Sequence, residues 1–234
     1  PLILLIETST DICSVAISSG ETLLKYGSEK GNKAHAKSIA PMVESFLKDL
    51  GLVINDLSAV AVSEGPGSYT GLRVGVSFAK GICFASNKPL ISVNSLESVA
   101  HNGFQEAKDL NLDFNYIIPM IDARRMEVYC SIYDSKMDLI EGVSAKIIDS
   151  SSFSEILANN PTIFCGNGAL KIKEVLNNTN AHFIDSQANA KGMIKCALNK
   201  FLSKNFEDTA YFEPFYLKEF VATVPKNKVI DVKS

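Results

Sequence analysis

The sequence predicts an α/β protein built from two similar lobes. Short, continuous apolar runs are typical of strands buried on both faces of a sheet, and the amphipathic stretches between them are typical of covering helices. The order strand, strand, strand, helix, strand, glycine-rich turn, helix occurs twice along the 234 residues. Apolar residues make up 46% of the chain, which is enough to fill the core of such a fold.

The first half opens with a predicted three-stranded meander and an amphipathic helix. These elements are expected at residues 2–6, 12–18, 22–26 and 33–50. One apolar stripe runs along the helix, formed by Ile39, Val43, Phe46, Leu47 and Leu50. Asn32 is expected to cap this helix and Gly51 to end it. Pro41 leaves two alternatives open, a kink or the true first turn of the helix.

The first half then continues into a buried strand, a glycine-rich turn and a second helix. The strand is expected at 57–62 and the helix at 72–86, followed by a strand at 89–93 and a short helix at 96–103. The polar and acidic stretch 105–115 then marks the expected boundary between two lobes, 1–104 and 105–234.

The second half repeats the order of the first. Its strands are expected at 116–121, 126–133, 139–148 and 162–165, and its helices at 151–159, 170–176 and 190–202. Because the two halves share few identical residues, the duplication is inferred from the order of the elements and from glycine turns at matching points.

Charge and cysteine usage narrow the function classes. The net charge is −3, which is not the basic footprint of a protein that grips nucleic acid by itself. The five cysteines are far apart with no Cys-x-x-Cys pair, so buried free thiols in a reducing compartment are expected. The apolar start, residues 1–6, is too short for a signal peptide, and no run approaches a membrane span. We therefore expect a cytoplasmic protein without a membrane segment.

The sharpest local motif is the glycine-rich string from Gly65 to Gly75, Gly-Pro-Gly-Ser-Tyr-Thr-Gly-Leu-Arg-Val-Gly. It joins a strand to a helix start, where free N–H groups can meet a phosphate. The other interpretation is tight packing of the turn against a neighbouring lobe or subunit. The string is neither a Walker loop nor a dinucleotide fingerprint, since no Lys-Ser/Thr follows and the glycine spacing differs. Both interpretations stay open at this point.

Two further turns follow predicted strands, one of hydroxyl residues and one of glycines. If the two halves face each other, all three turns line one cleft. The resulting candidates for weak nucleotide contacts are Thr8, Ser9, Thr10, Gly65, Gly67, Gly166, Asn167 and Gly168.

The sequence offers no recognisable catalytic or metal-binding set. His35, His101 and His182 are isolated, and none has a second histidine four residues later. No Gly-x-Ser-x-Gly motif occurs, and no Ser or Cys is visibly matched to a His and an acid. We therefore predict no catalytic residue, no metal and no cofactor.

Four segments together resemble the TsaB (YeaZ) family. They are Glu7-Thr-Ser-Thr10, the string from Gly65 to Gly75, Ile121-Asp-Ala-Arg124 with Glu127-Val-Tyr129, and Phe215-Tyr-Leu-Lys218. The resemblance runs over nearly the whole chain. It implies the actin/sugar-kinase/Hsp70-like (ASKHA) fold, with two RNase-H-like lobes that each contain a mixed five-stranded sheet.

The resemblance also implies a role as a non-catalytic scaffold. In this family the partners are a TsaD-like catalytic paralogue and a TsaE-like ATPase. The complex moves threonylcarbamoyl from threonylcarbamoyl-AMP to the adenosine beside the anticodon of ANN-decoding tRNAs. This chain is then expected to meet tRNA only indirectly, and a homodimer is expected as an alternative assembly of the isolated protein.

The same resemblance implies that the catalytic metal of the paralogue has been lost here. The paralogue's His-x-x-x-His pair corresponds to Ser95 and Val99, and its later metal-binding Asp corresponds to Ala188. Neither Val nor a neutral Ser is a credible ligand for a divalent ion at such a site.

A docking surface is implied on the first two helices of the first lobe, about 34–50 and 72–85. Gly75 and Gly81 thin the second helix, which lets another helix come close. The residues expected at this interface are His35, Ile39, Val43, Phe46, Leu72, Val76, Ala79 and Cys83.

Two rival functions remain at this point. A free-standing ATP-dependent kinase of the same fold would need acids near the first turn, where Glu7 and Asp11 face Asp122 of the second half. A glycoprotease-like metallopeptidase would need stoichiometric zinc or iron.

Overall fold

The computed structural model describes residues 1–31 and 34–217 and contains two five-stranded sheets. The strands of the first sheet are β1 (Leu2–Glu7), β2 (Ile12–Ser19), β3 (Thr22–Lys30), β4 (Ala59–Gly65) and β5 (Leu90–Asn94). Those of the second are β6 (Tyr116–Asp122), β7 (Glu127–Asp134), β8 (Leu139–Ile147), β9 (Thr162–Cys165) and β10 (Ala181–Ile184). The helices are α1 (Ala34–Leu50), α2 (Tyr69–Ser86), α3 (Ser95–Asp109), α4 (Ser154–Leu157), α5 (Asn167–Ile172) and α6 (Met193–Leu202).

The two sheets have the same strand order and the same directions. The first runs β3-β2-β1-β4-β5 and the second, read from the other edge, β8-β7-β6-β9-β10. In each, the central strand is antiparallel to the strand that follows it and parallel to the strand beyond the first helix. The duplication predicted from the order of the elements, with mixed five-stranded sheets, is confirmed.

Strand β1 shows why continuous apolar runs predicted buried strands. Its side chains alternate between the two faces of the sheet, and both faces are covered by helices. Leu4 and Ile6 pack in the cluster under α1 and α2, whereas Ile3 and Leu5 pack in the cluster under α6. Burial on both faces removes any need for polar residues along the strand.

Helices α3 and α6 each pack on the sheet of the other half of the chain. α3 follows the first sheet in sequence, but Leu96, Val99 and Ala107 pack against strands of the second sheet. α6 follows the second sheet, but Met193 and Ala197 pack on the first. The strands separate as expected after β5, whereas the packing crosses the division 1–104 and 105–234, and residue 104 lies inside α3. That division into two independent lobes stays a prediction.

Several element bounds differ from the sequence predictions. α2 begins at Tyr69, because Ser68 caps it by accepting a hydrogen bond from the Gly71 N–H. α3 continues through the polar stretch to Asp109, since its exposed face tolerates charge. β10 was not predicted, since its four residues carry no continuous apolar run. Pro41 lies seven residues inside α1 and does not mark its first turn, and Asn32 lies outside the described residues.

The state of the cysteines agrees with the prediction from the sequence. All five cysteines are free and buried, and burial raises the pKa of Cys83 to about 11. Among the described residues, no helix combines the length and the apolar character needed to cross a membrane.

Candidate functional site

A cleft of about 970 Å³ lies between turns of the two halves. Ser9, Thr10 and the start of α2 line it from the first half, and Asp122 and Asn167 line it from the second. The structure therefore brings members of all three predicted turns to one cavity. Four other residues predicted to contact a nucleotide do not line the cleft: Thr8, Gly65, Gly166 and Gly168.

The first turn, after β1, is organised around a buried carboxyl group. Glu7 is fully buried, and its Oε1 accepts a hydrogen bond from the Ser9 N–H at 2.5 Å. Burial raises the pKa of Glu7, which favours the protonated form. The Thr8 N–H donates to Ser63 Oγ at 3.1 Å. The backbone of this turn is thus held by the chain itself, although the buried Thr8 hydroxyl has no hydrogen-bond partner among the described residues.

The glycine-rich turn packs tightly against this first turn. A Cβ atom at Gly67 or Gly71 would come within 3.0 Å of the carbonyl oxygen of Ser9 or Thr8 respectively. The Ser68 N–H also donates to the Ser9 carbonyl at 2.6 Å. These contacts favour close packing as the reason for the glycines, because only glycine lets the two turns approach this closely and the Ser68 N–H is already bonded within the chain.

The turn after β9 is likewise occupied by contacts within the chain. Asn167 Oδ1 accepts a hydrogen bond from the Asp122 N–H at 2.9 Å. A Cβ atom at Gly166 would collide with the carbonyl oxygen of Met120, and one at Gly168 would press on Met120 as well. Of this turn, Asn167 alone lines the cleft, and its side-chain oxygen is already engaged.

The carboxylates on the cleft wall are paired with lysines. Among the described residues, Asp11 and Asp122 are the acidic residues that line the cleft. Asp11 lies 3.3 Å from Lys30 Nζ, and Asp122 forms an ion pair with Lys171. A kinase of this fold would use three acids. Two of them, Asp11 and Asp122, are therefore ion-paired, and the third, Glu7, is buried.

Residues 215–217 also line the cleft, although none of them was among the predicted nucleotide contacts. The Phe215 N–H donates to the Glu64 carbonyl at 2.7 Å, which fixes this segment beside β4. Tyr216 packs on Tyr69 with ring centroids 4.9 Å apart, and Arg73 lies over the Tyr69 ring. The sequence signal was the family motif beginning at Phe215, whose last member, Lys218, lies outside the described residues.

The three positions that the family resemblance aligns with the paralogue's metal ligands are all buried. Val99 is 1% exposed and Ala188 is also 1% exposed, and both belong to the apolar cluster under α3. Ser95 is fully buried one helical turn before Val99. The correspondence inferred from the sequence stays a prediction. An apolar pair and one neutral hydroxyl do not fit a divalent ion.

Most of the predicted interface residues face the core of this chain and are not available to a partner. Seven of the eight are buried inside this chain: Ile39, Val43, Phe46, Leu72, Val76, Ala79 and Cys83. Six of these seven, all but Leu72, belong to the core cluster over the first sheet. His35 is half-buried and contacts the Thr10 carbonyl through Nε2 at 2.9 Å. The choice of this face is corrected, because an apolar helical stripe marks the side that covers the sheet.

The outer face of α2 carries a different set of residues. Ser77, Gly81 and Ala85 recur every four residues and are exposed. Phe84 is 87% exposed beside them. A largely apolar depression of about 550 Å³ lies on this face and extends to Ile54. Small residues at this spacing allow a second helix to approach closely.

The fold and the cleft define the class of protein. Two sheets of equal order, helices on their faces and a cleft lined by turns from both halves are the ASKHA architecture. Within that class, the chain belongs to the family described as TsaD: tRNA N6-adenosine threonylcarbamoyltransferase, whose model matches residues 28–226.

Curated relatives and solved structures agree with this assignment. The chain is 28% identical to the Haemophilus influenzae tRNA threonylcarbamoyladenosine biosynthesis protein TsaB, over 94% of each chain. It is 37% identical to the Bacillus subtilis protein of that name, over 60% of this chain and 58% of the relative. A Pseudomonas aeruginosa structure described as similar to peptidase YeaZ matches with a TM-score of 0.81 at 24% identity, covering 93% of this chain and 99% of that one. The resemblance to TsaB (YeaZ) stated from the sequence is confirmed.

Proposed function

We propose that this chain is a non-catalytic docking subunit in the synthesis of threonylcarbamoyladenosine on tRNA. Its relatives are named for that biosynthesis and its family for the transferase itself. Its enzyme partner is a TsaD-like paralogue, which transfers threonylcarbamoyl to the adenosine beside the anticodon. A TsaE-like ATPase completes the assembly.

The observation that carries the proposal is the filling of the metal position. Val99 and Ala188 occupy two of the three corresponding sites, and both are buried in one apolar cluster. Placing a divalent ion there would need donor atoms that these side chains lack. The chain therefore keeps the fold of the transferase and lacks the groups that would hold the reacting substrate on a metal.

The rival functions have less support from the cleft. A kinase needs free carboxylates for Mg²⁺, and Asp11 and Asp122 are paired with lysines while Glu7 is buried. A metallopeptidase needs an ion at the substrate cleft, and the lining offers no cluster of ligands among the described residues. Contacts to a nucleotide at Ser9, Thr10 and Asn167 remain a proposal, with weak affinity expected.

The outer face of α2 is the proposed docking surface for the TsaD-like partner. The paralogue shares this fold, so its own corresponding helix can lie against the stripe of Ser77, Gly81 and Ala85. Phe84 would leave water on binding and is the expected energetic centre of the contact. In isolation, the same face would pair two copies of the chain. With a net charge of −3, the chain is expected to meet tRNA through its partner, in the cytoplasm.

Exchange of Phe84 for Glu tests this docking surface. Phe84→Glu adds a charge at an exposed position, so the chain should fold as before but fail to co-elute with the TsaD-like partner or stimulate transfer. Leu110→Glu is the matched control, since Leu110 is 62% exposed at the end of α3. Equal stimulation by both variants would contradict the assignment of this face.

A further inference from the structure

Three side chains of kinds that bind metal ions lie together between α3 and α6, away from the cleft. Glu97 and His101 lie on α3 and Cys196 on α6, with their ligand atoms within 4.8 Å of one another. None of the three lines the cleft.

We propose that Glu97, His101 and Cys196 form a binding site for a divalent transition metal, with zinc as the best match. Glutamate oxygen, imidazole nitrogen and thiolate sulfur are all zinc ligands. A site of three protein ligands leaves the fourth position of a tetrahedral ion to water. The combination of a soft thiolate with imidazole favours zinc over magnesium or calcium.

The local structure places the first two ligands on one face of a helix. Glu97 and His101 are four residues apart, so their side chains lie one turn apart on α3. This face differs from that of Ser95 and Val99, because a shift of two residues rotates the side chain by about 200° around the helix. The site is therefore distinct from the paralogue's metal position.

The third ligand comes from a helix that the fold holds against α3. Cys196 is 3% exposed, and its thiol donates a hydrogen bond to the Gly192 carbonyl at 3.7 Å, a contact that binding to an ion would replace. Tetrahedral coordination at ordinary zinc bond lengths would place the ligand atoms roughly 3.5 Å apart. Closing the present cluster around an ion thus needs movements of about 1 Å, within reach of side-chain rotation.

The second ligand, His101, can reach an ion without breaking a hydrogen bond of the described residues. No hydrogen bond holds the His101 ring among the described residues, and both ring nitrogens are available. An ion that binds Cys196 would displace the thiol proton, which would pass to solvent.

The position of the site indicates what the metal would do. α3 packs on the second sheet and α6 on the first, so an ion held by both helices would tie the two halves together. A ligand that binds the folded chain alone raises the ratio of folded to unfolded molecules by about a hundredfold at one hundred times its Kd. The inference is independent of the proposed function, because the site lies outside both the cleft and the docking face.

Cobalt substitution tests the proposal on the purified, chelator-treated chain. We expect one Co²⁺ per chain, with a thiolate-to-cobalt absorption band that Zn²⁺ abolishes by displacement. Cys196→Ser should remove the band, and His101→Asn should weaken binding by at least about tenfold. The matched controls, Cys83→Ser and His182→Asn, change the same residue types outside the cluster and should leave the titration unchanged.

Two results would overturn the proposal. One is the absence of stoichiometric Co²⁺ or Zn²⁺ binding by the wild-type chain. The other is binding that His101→Asn leaves unaltered, which would mean that metal binds adventitiously at other groups. His101 is half-buried, so its exchange for Asn keeps the test valid even where Cys196→Ser impairs folding.

Discussion

Exchange of two glycines of α2 for alanine separates packing from helix propensity. Gly71 lies in the first turn of α2, where a Cβ atom would come within 3.0 Å of the Thr8 carbonyl oxygen. Gly81 lies further along the same helix, where a Cβ atom would meet nothing within 4 Å. The two substitutions add the same methyl group to the same helix and differ in what that group touches.

The contact at Gly71 decides the sign of its effect on stability. In a helix, alanine is about 1 kcal/mol more favourable than glycine. Overpacking costs about 1–3 kcal/mol, and backbone that cannot rotate away belongs at the upper end. Gly71→Ala should therefore lower the free energy of unfolding by about 2 kcal/mol, whereas Gly81→Ala should raise it by about 1 kcal/mol.

Thermal and urea unfolding of the two variants measure this difference. At about 2–4 °C per kcal/mol for a chain of this size, Gly71→Ala should lower the Tm by about 4–8 °C and Gly81→Ala should raise it by about 2–4 °C. Shifts of the same sign and size would refute the argument that the glycine string serves close packing on the first turn.

The remaining predictions concern a buried carboxyl group and a strained turn. The raised pKa of Glu7 means that the unfolded chain loses this proton first, so the free energy of unfolding should fall as pH rises from 4.5 through the folded pKa. Glu7→Gln should flatten that fall in urea titrations across pH, and an unchanged slope would contradict burial of the carboxyl. Arg125 has a φ of 51°, a left-handed conformation that costs about 1–2 kcal/mol for a residue with a Cβ atom. Arg125→Gly should therefore raise the Tm, whereas Arg125→Ala, which keeps the Cβ atom, should not; equal shifts would count against strain.

The sequence predicts the strands better than it predicts which helix covers which sheet. Continuous apolar runs mark strands such as β1 and β6, because both of their faces are covered. Nothing in the periodicity of α3 or α6 says that each packs on the sheet of the other half. That arrangement depends on the tertiary fold.

The sequence likewise predicts only part of the candidate site. The three turns are recognisable from their glycines and hydroxyls, yet their mutual contacts appear only in the folded chain. The docking residues were chosen from an apolar stripe, and such stripes mark the buried side of a helix, so Val43 and Val76 lie in the core. The exposure of Phe84, on which the proposed docking surface depends, is visible only in the folded chain.

The proposed metal site is hard to recognise from the sequence for a related reason. A search for two histidines four residues apart passes over Glu97 and His101, which have the same spacing with a different pair of ligands. Cys196 is distant in sequence and joins them only because α6 packs beside α3.

Transfer of threonylcarbamoyl to tRNA is the measurement closest to the central claim, run with this chain alone, with the TsaD-like enzyme alone, and with both. We expect no turnover by the chain alone and a rate for the pair far above that of the enzyme by itself. Turnover by the chain alone, or equal rates with and without it, would contradict a docking subunit that contributes a surface and no chemistry.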